Sequence, residues 1–281
     1  GEAGTSEFDA RLEKLVSDTL DEESGKHRGG IFESDENEKF RLSRLEKICK
    51  LAVKAVAEQL LDDELSESFF EESFRKDGRA AFSPIEIQID DETVFVEGKI
   101  DRVDFMGDTG VRVVDYKTGN DEVNKEHLRN GYKMQLMVYL EGACDNAHKP
   151  AGVFYFNIKD ELPNITKEKA EKAKDKIEEN KKRFELRGLY VTENNDPESR
   201  HSGAGKAKSI GITSEEFEDI RKDVRNTMKD IASGIINGDI RINPVYQGTK
   251  TNAKIECTYC QYRSICRFDL SYDGNEYRYI K

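Results

Sequence analysis

The stretch GKIDRVDFMGDTGVRVVDYKTG, residues 98–119, decides the fold because its pattern predicts a β-hairpin. Successive side chains of a strand point to opposite faces of a sheet, so residues two apart share a face. If the turn is centred on Asp108, apolar residues of the two strands lie opposite each other, which supports this register. The apolar pairs are Val103 with Val113 and Phe105 with Val111.

Three charged residues share one face of this predicted hairpin. Asp101 falls directly opposite Asp115, and Lys117 follows two residues later on the second strand. The register also sets Lys99 opposite Lys117, which is unfavourable unless the carboxylates bracket the ammonium group. Two facing carboxylates beside an ammonium group form a divalent-metal site with its own charge donor, which is the arrangement that phosphodiester cleavage needs.

The alternative interpretation is a solvated strand face with a surface ion pair, which contributes little to stability. The neighbours of Asp115 argue against it, because Val111, Val113, Val114 and Tyr116 make the second strand apolar on both faces. Such a strand is typical of the centre of a sheet. Burying an unpaired carboxylate there costs several kcal/mol, and a bound metal ion makes that burial reasonable.

Composition limits the classes of protein to consider. The chain has 281 residues, of which 36% are hydrophobic and 36% are charged. No apolar run reaches the roughly 20 residues that a membrane helix requires, and the N-terminal GEAGTSEFDA lacks the basic and apolar regions of a signal peptide. We therefore expect a soluble cytoplasmic protein that does not bind membranes.

The net charge of -12 is unfavourable for a free-standing nucleic-acid-binding protein, since phosphate contacts come from Lys and Arg. The acidity is concentrated in the N-terminal third, whereas residues 167–187 are rich in lysine. Local fields matter more than the total charge. A domain that receives DNA from a partner motor does not have to capture DNA by itself.

Hydrophobic periodicity predicts an α/β fold with a mixed central sheet flanked by helices. The predicted helices are 8–20, 39–61, 126–142, 168–187 and 214–237; the predicted strands are 83–90, the hairpin and 152–158; 194–208 is predicted as a flexible loop. We divide the chain into an N-terminal helical segment (1–82), an α/β core with helical insertions (83–240) and a cysteine-rich tail (241–281).

Several motifs, in this order, carry a resemblance to a known family. They are IDRVD (100–104), VVDYKTG (113–119), QLMVY (135–139), INP (242–244), CTYCQYRSICRFD (257–269) and YRYI (277–280). The chain resembles the PD-(D/E)XK nuclease superfamily in its RecB-like branch, and its ending is similar to the nuclease domains of the AddB family. The resemblance implies a restriction-endonuclease-like core and a metal-dependent exonuclease that works with an AddA-like helicase subunit. Such an enzyme digests single DNA strands that the helicase delivers during double-strand-break repair.

The resemblance also assigns roles to residues. Asp101 and Asp115 would bind Mg²⁺ or Mn²⁺, with the backbone carbonyl of Tyr116 as a third ligand, and Lys117 would orient the attacking water or stabilise the transition state. Gln135 and Tyr139, four residues apart on one helix face, would contact DNA or position the lysine. The alternative for this pair is a core tyrosine with a surface glutamine. Glu86, on the preceding strand, is either a structural residue or a member of the site.

Three cysteines have the spacing C-x2-C-x5-C: Cys257, Cys260 and Cys266. Close spacing in an intracellular protein suggests a metal site or a cluster, and zinc is the default from spacing alone. The resemblance implies a [4Fe-4S] cluster whose fourth ligand lies far upstream in a CPF context that this sequence lacks. Cys49 and Cys144 are better explained as ordinary buried cysteines, so we expect an incomplete cluster in a fragment of a longer protein.

Two further points remain open. The family histidine near the metal has no counterpart here, because His27, His127, His148 and His201 lack its context and are predicted at the surface; we expect it upstream of Gly1. The alternatives to a helicase-linked exonuclease are a CRISPR-associated or phage-type exonuclease and a non-catalytic scaffold that binds DNA ends.

Overall fold

The centre of the computed structural model is a six-stranded mixed sheet. The structure describes residues 5–26, 32, 34–61, 65–145, 147–159, 184–192, 209–248 and 254–280. Its strands are β1 (Leu65–Phe74), β2 (Ile85–Ile89), β3 (Glu92–Val96), β4 (Gly98–Met106), β5 (Gly110–Lys117), β6 (Lys149–Asn157), β7 (Leu186–Val191), β8 (Ile210–Ile212), β9 (Val245–Gln247), β10 (Lys254–Ile255) and β11 (Arg278–Ile280). The order in the sheet is β1-β4-β5-β6-β7-β8, with parallel pairing of β5 with β6 and of β7 with β8.

Helices cover both faces of this sheet, which confirms the predicted α/β class. They are α1 (Ser6–Lys26), α2 (Glu36–Gln59), α3 (Lys125–Arg129), α4 (Gln135–Ala143), α5 (Ser214–Ile236) and α6 (Arg263–Cys266). Polar caps fix their starts: Asp35 accepts hydrogen bonds from two amides of the first turn of α2, and the Thr213 hydroxyl accepts one from Glu216 at the start of α5. Within the described segments no helix is both long and apolar enough to cross a membrane.

The predicted hairpin is present with the predicted register. Val103 pairs with Val113 and Phe105 with Val111, and both strands lie inside the sheet. Residues Val111, Val113 and Val114 have no exposed surface, as expected for a central strand. The pairing ends at Arg102 and Val114, one position before Asp101 and Asp115. Lys99 pairs instead with Ser73 of β1, and its ammonium group contacts Glu71.

The two faces of the sheet pack against different helices. On the face that we call the front, α3, α4 and α5 cover apolar residues such as Val103, Val113 and Val153. On the back face, α2 covers Val114, Phe154 and Phe156. Helix α4 lies close to β1, because a Cβ atom added at Gly142 would stand 2.8 Å from the ring of Phe74. This close approach fixes α4 beside the hairpin.

The edge strand β1 was missed by the sequence analysis. Residues 65–74, predicted within the N-terminal helical segment, pair antiparallel with β4. The sequence LSESFFEESF has an acidic residue at every third or fourth position, and this hides the alternation of a strand. The predicted strand 83–90 contains β2, which pairs with β3 in a separate two-stranded sheet.

Two predicted helices also need correction. The predicted helix 126–142 is two helices, α3 and α4, because Gly131 and Lys133 adopt left-handed backbone conformations between them (φ 66° and 52°). Residues at the end of the predicted helix 168–187 begin β7, and the rest of that helix lies outside the described residues, as does the predicted loop 194–208. The predicted helix 214–237 is confirmed as α5, which Gly238 follows with a φ of 68°.

The C-terminal tail forms a small sheet of its own. Strands β10, β9 and β11 pair in that order, and a short 3-10 helix, Glu256–Thr258, and α6 lie between β10 and β11. The division of the chain at residue 240 stays a prediction.

Candidate active site

Asp115 is a buried carboxylate near the end of β5. It is 1% exposed, and the Lys117 ammonium nitrogen lies 2.5 Å from its Oδ2 atom. This contact is an ion pair without hydrogen-bond direction, and Oδ2 has no hydrogen-bond partner within the described part of the chain. Burial raises the pKa of Asp115; Lys117 opposes that rise, whereas the carboxylates of Asp101 and Asp121 add to it. The negative charge at this position is therefore incompletely compensated.

Asp101 lies on the same face, beside the end of β5. Its Oδ2 atom accepts a hydrogen bond of 2.9 Å from the backbone amide of Tyr116. The N–H and C=O groups of a strand residue point to the same side of the strand, as residue pairs in antiparallel ladders show. The carbonyl of Tyr116 therefore also points to the Asp101 side of β5, where two carboxylates and this carbonyl can face one cation.

Helix α4 brings its glutamine and tyrosine to this site. Gln135 Oε1 accepts a hydrogen bond of 3.0 Å from Lys117 Nζ, and Gln135 Nε2 donates one of 2.7 Å to the Tyr139 hydroxyl. Contacts thus run from Asp115 through Lys117 and Gln135 to Tyr139. The sequence analysis selected these residues separately, and the fold joins them.

Two residues of the site were not selected from the sequence. The Asp121 carboxylate, just after β5, pairs with Lys133 Nζ at 2.9 Å. The buried amide side chain of Asn157 holds the backbone of Asp121 through two hydrogen bonds. The Tyr155 ring centre lies 5.8 Å from Lys117 Nζ, and burial, followed by Asp115, raises the pKa of its phenol. The only sequence signal for Asp121 is an acidic residue six positions after Asp115.

Other predicted candidates lie elsewhere. Glu86 is exposed on β2, outside the sheet that carries Asp101 and Asp115. Two histidines are partly buried and not at the surface as predicted: His148 pairs with Asp145 at 2.8 Å, and His127 lies 2.6 Å from the Gln247 amide nitrogen. His27 and His201 lie outside the described residues.

The cysteines of the tail lie together but do not complete a cluster. Cys257 is half-buried, while Cys260 and Cys266 are exposed. Burial raises the pKa of Cys257, and the two neighbouring thiols add to this effect. An iron–sulfur cluster normally requires four thiolate ligands, and the described residues contain no group of three or more His, Cys, Asp or Glu side chains placed to hold a metal. Cys144 packs against the core, and burial raises its pKa to about 12.

Asp101 and Asp115 fit a divalent cation by their chemistry. Their oxygens are the hard donors that Mg²⁺ and Mn²⁺ prefer. The unpartnered Oδ2 atom of Asp115 and its raised pKa show that the site lacks positive charge. Two carboxylates leave the remaining coordination positions to a backbone carbonyl, water or a substrate phosphate.

A sequence profile described as the PD-(D/E)XK nuclease superfamily matches residues 2–267. The chain belongs to this superfamily. PD-(D/E)XK nucleases generally use divalent metal ions, which agrees with the carboxylate pair. The mixed sheet flanked by helices is the architecture expected for this superfamily.

The curated relatives are all named as one subunit of an ATP-dependent helicase/deoxyribonuclease, the AddB protein. The chain is 31% identical over 277 residues to the protein of Thermoanaerobacter sp. (strain X514), covering 89% of the chain and 23% of that protein. It is 30% identical over 294 residues to the protein of Alkaliphilus oremlandii (strain OhILAs), covering 95% and 25%. It is 30% identical over 299 residues to the protein of Clostridium acetobutylicum, covering 96% and 25%. The chain spans about a quarter of the length of these relatives.

Proposed function

We propose that this chain is the metal-dependent deoxyribonuclease domain of a helicase–nuclease subunit. Its substrate is single-stranded DNA delivered by an AddA-like helicase during the processing of double-strand breaks. One observation carries the proposal: the buried Asp115 carboxylate has incompletely compensated charge, and it lies beside Lys117 and Asp101 at the end of a central hairpin. The relatives named as helicase/deoxyribonuclease subunits favour a helicase-linked enzyme over a CRISPR-associated or phage-type exonuclease.

Each residue of the site has a part in this chemistry. Asp101, Asp115 and the Tyr116 carbonyl hold the cation, Mg²⁺ or Mn²⁺. When bound, the cation supplies Lewis acidity for the scissile phosphate and the attacking water. Lys117, whose side chain is 28% exposed, is accessible to the substrate. It donates hydrogen bonds either to the attacking water or to the oxygen on which charge develops.

Helix α4 limits the positions that Lys117 can take. The Gln135 carbonyl accepts from the ammonium group, and Tyr139 fixes the amide of Gln135 from the other side. Because a flexible lysine loses side-chain entropy when it is held, this pre-alignment lowers the cost of reaching the reactive geometry. The proposal includes no step through an iron–sulfur cluster, since the described cysteines do not complete one.

The test is Mg²⁺-dependent cleavage of an end-labelled single-stranded oligonucleotide by the chain, repeated with Mn²⁺. We expect Asp115→Asn to lower the rate by at least about a thousandfold, because a metal ligand contributes several kcal/mol to transition-state stabilisation. The matched control is Asp108→Asn, which removes an exposed carboxylate from the turn of the same hairpin and should leave the rate unchanged. Activity of Asp115→Asn within threefold of the unsubstituted protein would remove Asp115 from the mechanism.

A further inference from the structure

The cysteine-bearing tail, which we define as the described residues 245–248 and 254–280, contacts the segment that leads into α4. The Tyr132 hydroxyl donates a hydrogen bond to Glu256, the residue before Cys257. Arg278 Nη1 donates one of 2.8 Å to the carbonyl of Asn130. The Gln247 amide nitrogen lies 2.6 Å from His127 Nε2. All three contacts meet the chain between residues 127 and 132.

The protonation states of this segment favour these contacts. Burial, together with Lys133 and Lys254, lowers the pKa of His127, so its ring is neutral at neutral pH and its Nε2 atom can accept from the Gln247 amide. Burial and the carboxylate of Glu256 raise the pKa of Tyr132 to about 12, so its hydroxyl keeps the proton that it donates. The tail therefore holds the segment through donors and acceptors of matching type.

The same segment is fixed from the opposite side by α5. A Cβ atom added at Gly131 would stand 2.7 Å from Cγ2 of Thr227, so only glycine allows this approach. Gly131 and Lys133 also hold left-handed conformations, and Lys133 pairs with Asp121. A left-handed lysine persists only where its surroundings impose it.

Helix α4 begins directly after this segment, without a cap of its own. Met134, at the N-cap position, makes no side-chain capping hydrogen bond. The direction of the first turn therefore depends on the preceding residues. Gln135 is the first residue of α4 and three positions from Tyr132, and its side chain accepts the hydrogen bond from Lys117.

We infer that the Tyr132–Glu256 hydrogen bond positions Gln135, and through it Lys117, for cleavage of the phosphodiester bond. The tail is thus a positioning element of the active site, and Tyr132 and Glu256 are positioning residues that need not touch the substrate. The inference rests on the proposed function for the role of Lys117. The structural link from Glu256 to Gln135 can be tested without any activity.

The first experiment measures the link directly. The side-chain amide signals of Gln135 are assigned in ¹H–¹⁵N spectra by their loss in Gln135→Ala. We expect these signals to shift in Tyr132→Phe and in Glu256→Gln. They should stay in place in Tyr279→Phe, the same chemical change at a 67% exposed tyrosine of the same tail. Unchanged Gln135 signals in Tyr132→Phe would overturn the inference, whatever the activity of the chain.

The second experiment asks whether the link serves the reaction. Loss of one hydrogen bond that orients Gln135 should lower kcat for Mg²⁺-dependent cleavage about three- to tenfold and leave KM for DNA unchanged. In a Gln135→Ala background, Tyr132→Phe should cause no further loss, since both changes act through the same contact. Losses that multiply in the double variant would show that Tyr132 acts separately from Gln135 and would overturn the inference. If the unsubstituted chain fails to cleave DNA, the proposed function fails, and the Gln135 signals still decide whether the link exists.

Discussion

Charged side chains from β4 and β5 lie on both faces of the central sheet. The front face carries Asp101, Asp115 and Lys117, and the back face carries Arg102, Asp104 and Arg112. Both groups are buried inside the same hairpin, and both combine carboxylates with cations. They differ in how far the surroundings satisfy the charge of the carboxylate.

On the back face the acid is fully bonded. Asp104 accepts hydrogen bonds of 2.7 Å from Arg102 Nε, Arg112 Nε and the Ser68 hydroxyl. Arg102 in turn donates to the side chain of Gln59 at the end of α2. Burial by itself raises the pKa of Asp104, but the two guanidinium groups outweigh it, so the pKa is lowered.

On the front face the acid keeps an unbonded oxygen. Asp115 has a raised pKa and one ion-pair contact, and two further carboxylates, Asp101 and Asp121, add to the negative potential. Burial of charge is therefore a poor guide to a functional site by itself. A buried charge that the fold leaves uncompensated indicates a site that a ligand completes.

The largest effect in this comparison is expected from Asp104→Asn. The substitution leaves two buried guanidinium groups without their carboxylate, which should destabilise the fold by about 3–5 kcal/mol. Urea unfolding measures the loss, and Asp108→Asn, an exposed change in the turn of the hairpin, should cost less than about 0.5 kcal/mol. A loss for Asp104→Asn as small as that of the control would mean that the back-face group does not stabilise the fold.

The next effect concerns the cation. If the front face lacks positive charge, Mg²⁺ at ten times its dissociation constant should stabilise the folded protein by about 1.4 kcal/mol. The rise in melting temperature should be absent in Asp115→Asn and present in Asp108→Asn. An equal rise in both variants would place the Mg²⁺ site away from Asp115.

The smallest effect separates the two acids by the sign of their pH dependence. An acid whose pKa is raised by folding loses stability as the pH rises from its unfolded value, near 4, through its folded value. In EDTA, Asp115→Asn should therefore equal the unsubstituted protein near pH 3 and exceed it by roughly 1 kcal/mol near pH 8.

Asp104 has the opposite sign, since its pKa is lowered by folding. The deficit of Asp104→Asn should be full above pH 4 and should shrink as the pH falls through the folded pKa of Asp104. Urea unfolding of both variants between pH 3 and pH 8 measures the two trends. Trends of the same sign would remove the distinction between the faces.

The hairpin could be predicted from the sequence because its strands alternate with a period of two and carry apolar residues at matching positions. The same alternation predicts that Arg102, Asp104 and Arg112 share a face. It does not predict that α2 covers this face, so the back-face group was not foreseen. Packing between segments distant in sequence, such as Gln59 with Arg102, has no local signal.

Other parts of the fold were missed for local reasons. The break between α3 and α4 depends on a left-handed lysine, a conformation that the residue type does not favour. Asp121 joins the site from an irregular segment, where no periodicity indicates the direction of a side chain. Residues 186–191 follow a charged stretch without turn residues, so β7 was taken as the end of a helix.

Strand β1 has a consequence for how the protein behaves at high concentration. As the outermost strand of the sheet, it offers its free side to any extended segment, including the same strand of another molecule. Glu67 and Glu71 are exposed there, and Glu71 bends the strand with a φ of 58°. Repulsion between like charges and an irregular backbone oppose such pairing. The acidic composition that hid this strand from the sequence analysis thus protects the protein against aggregation along its sheet edge.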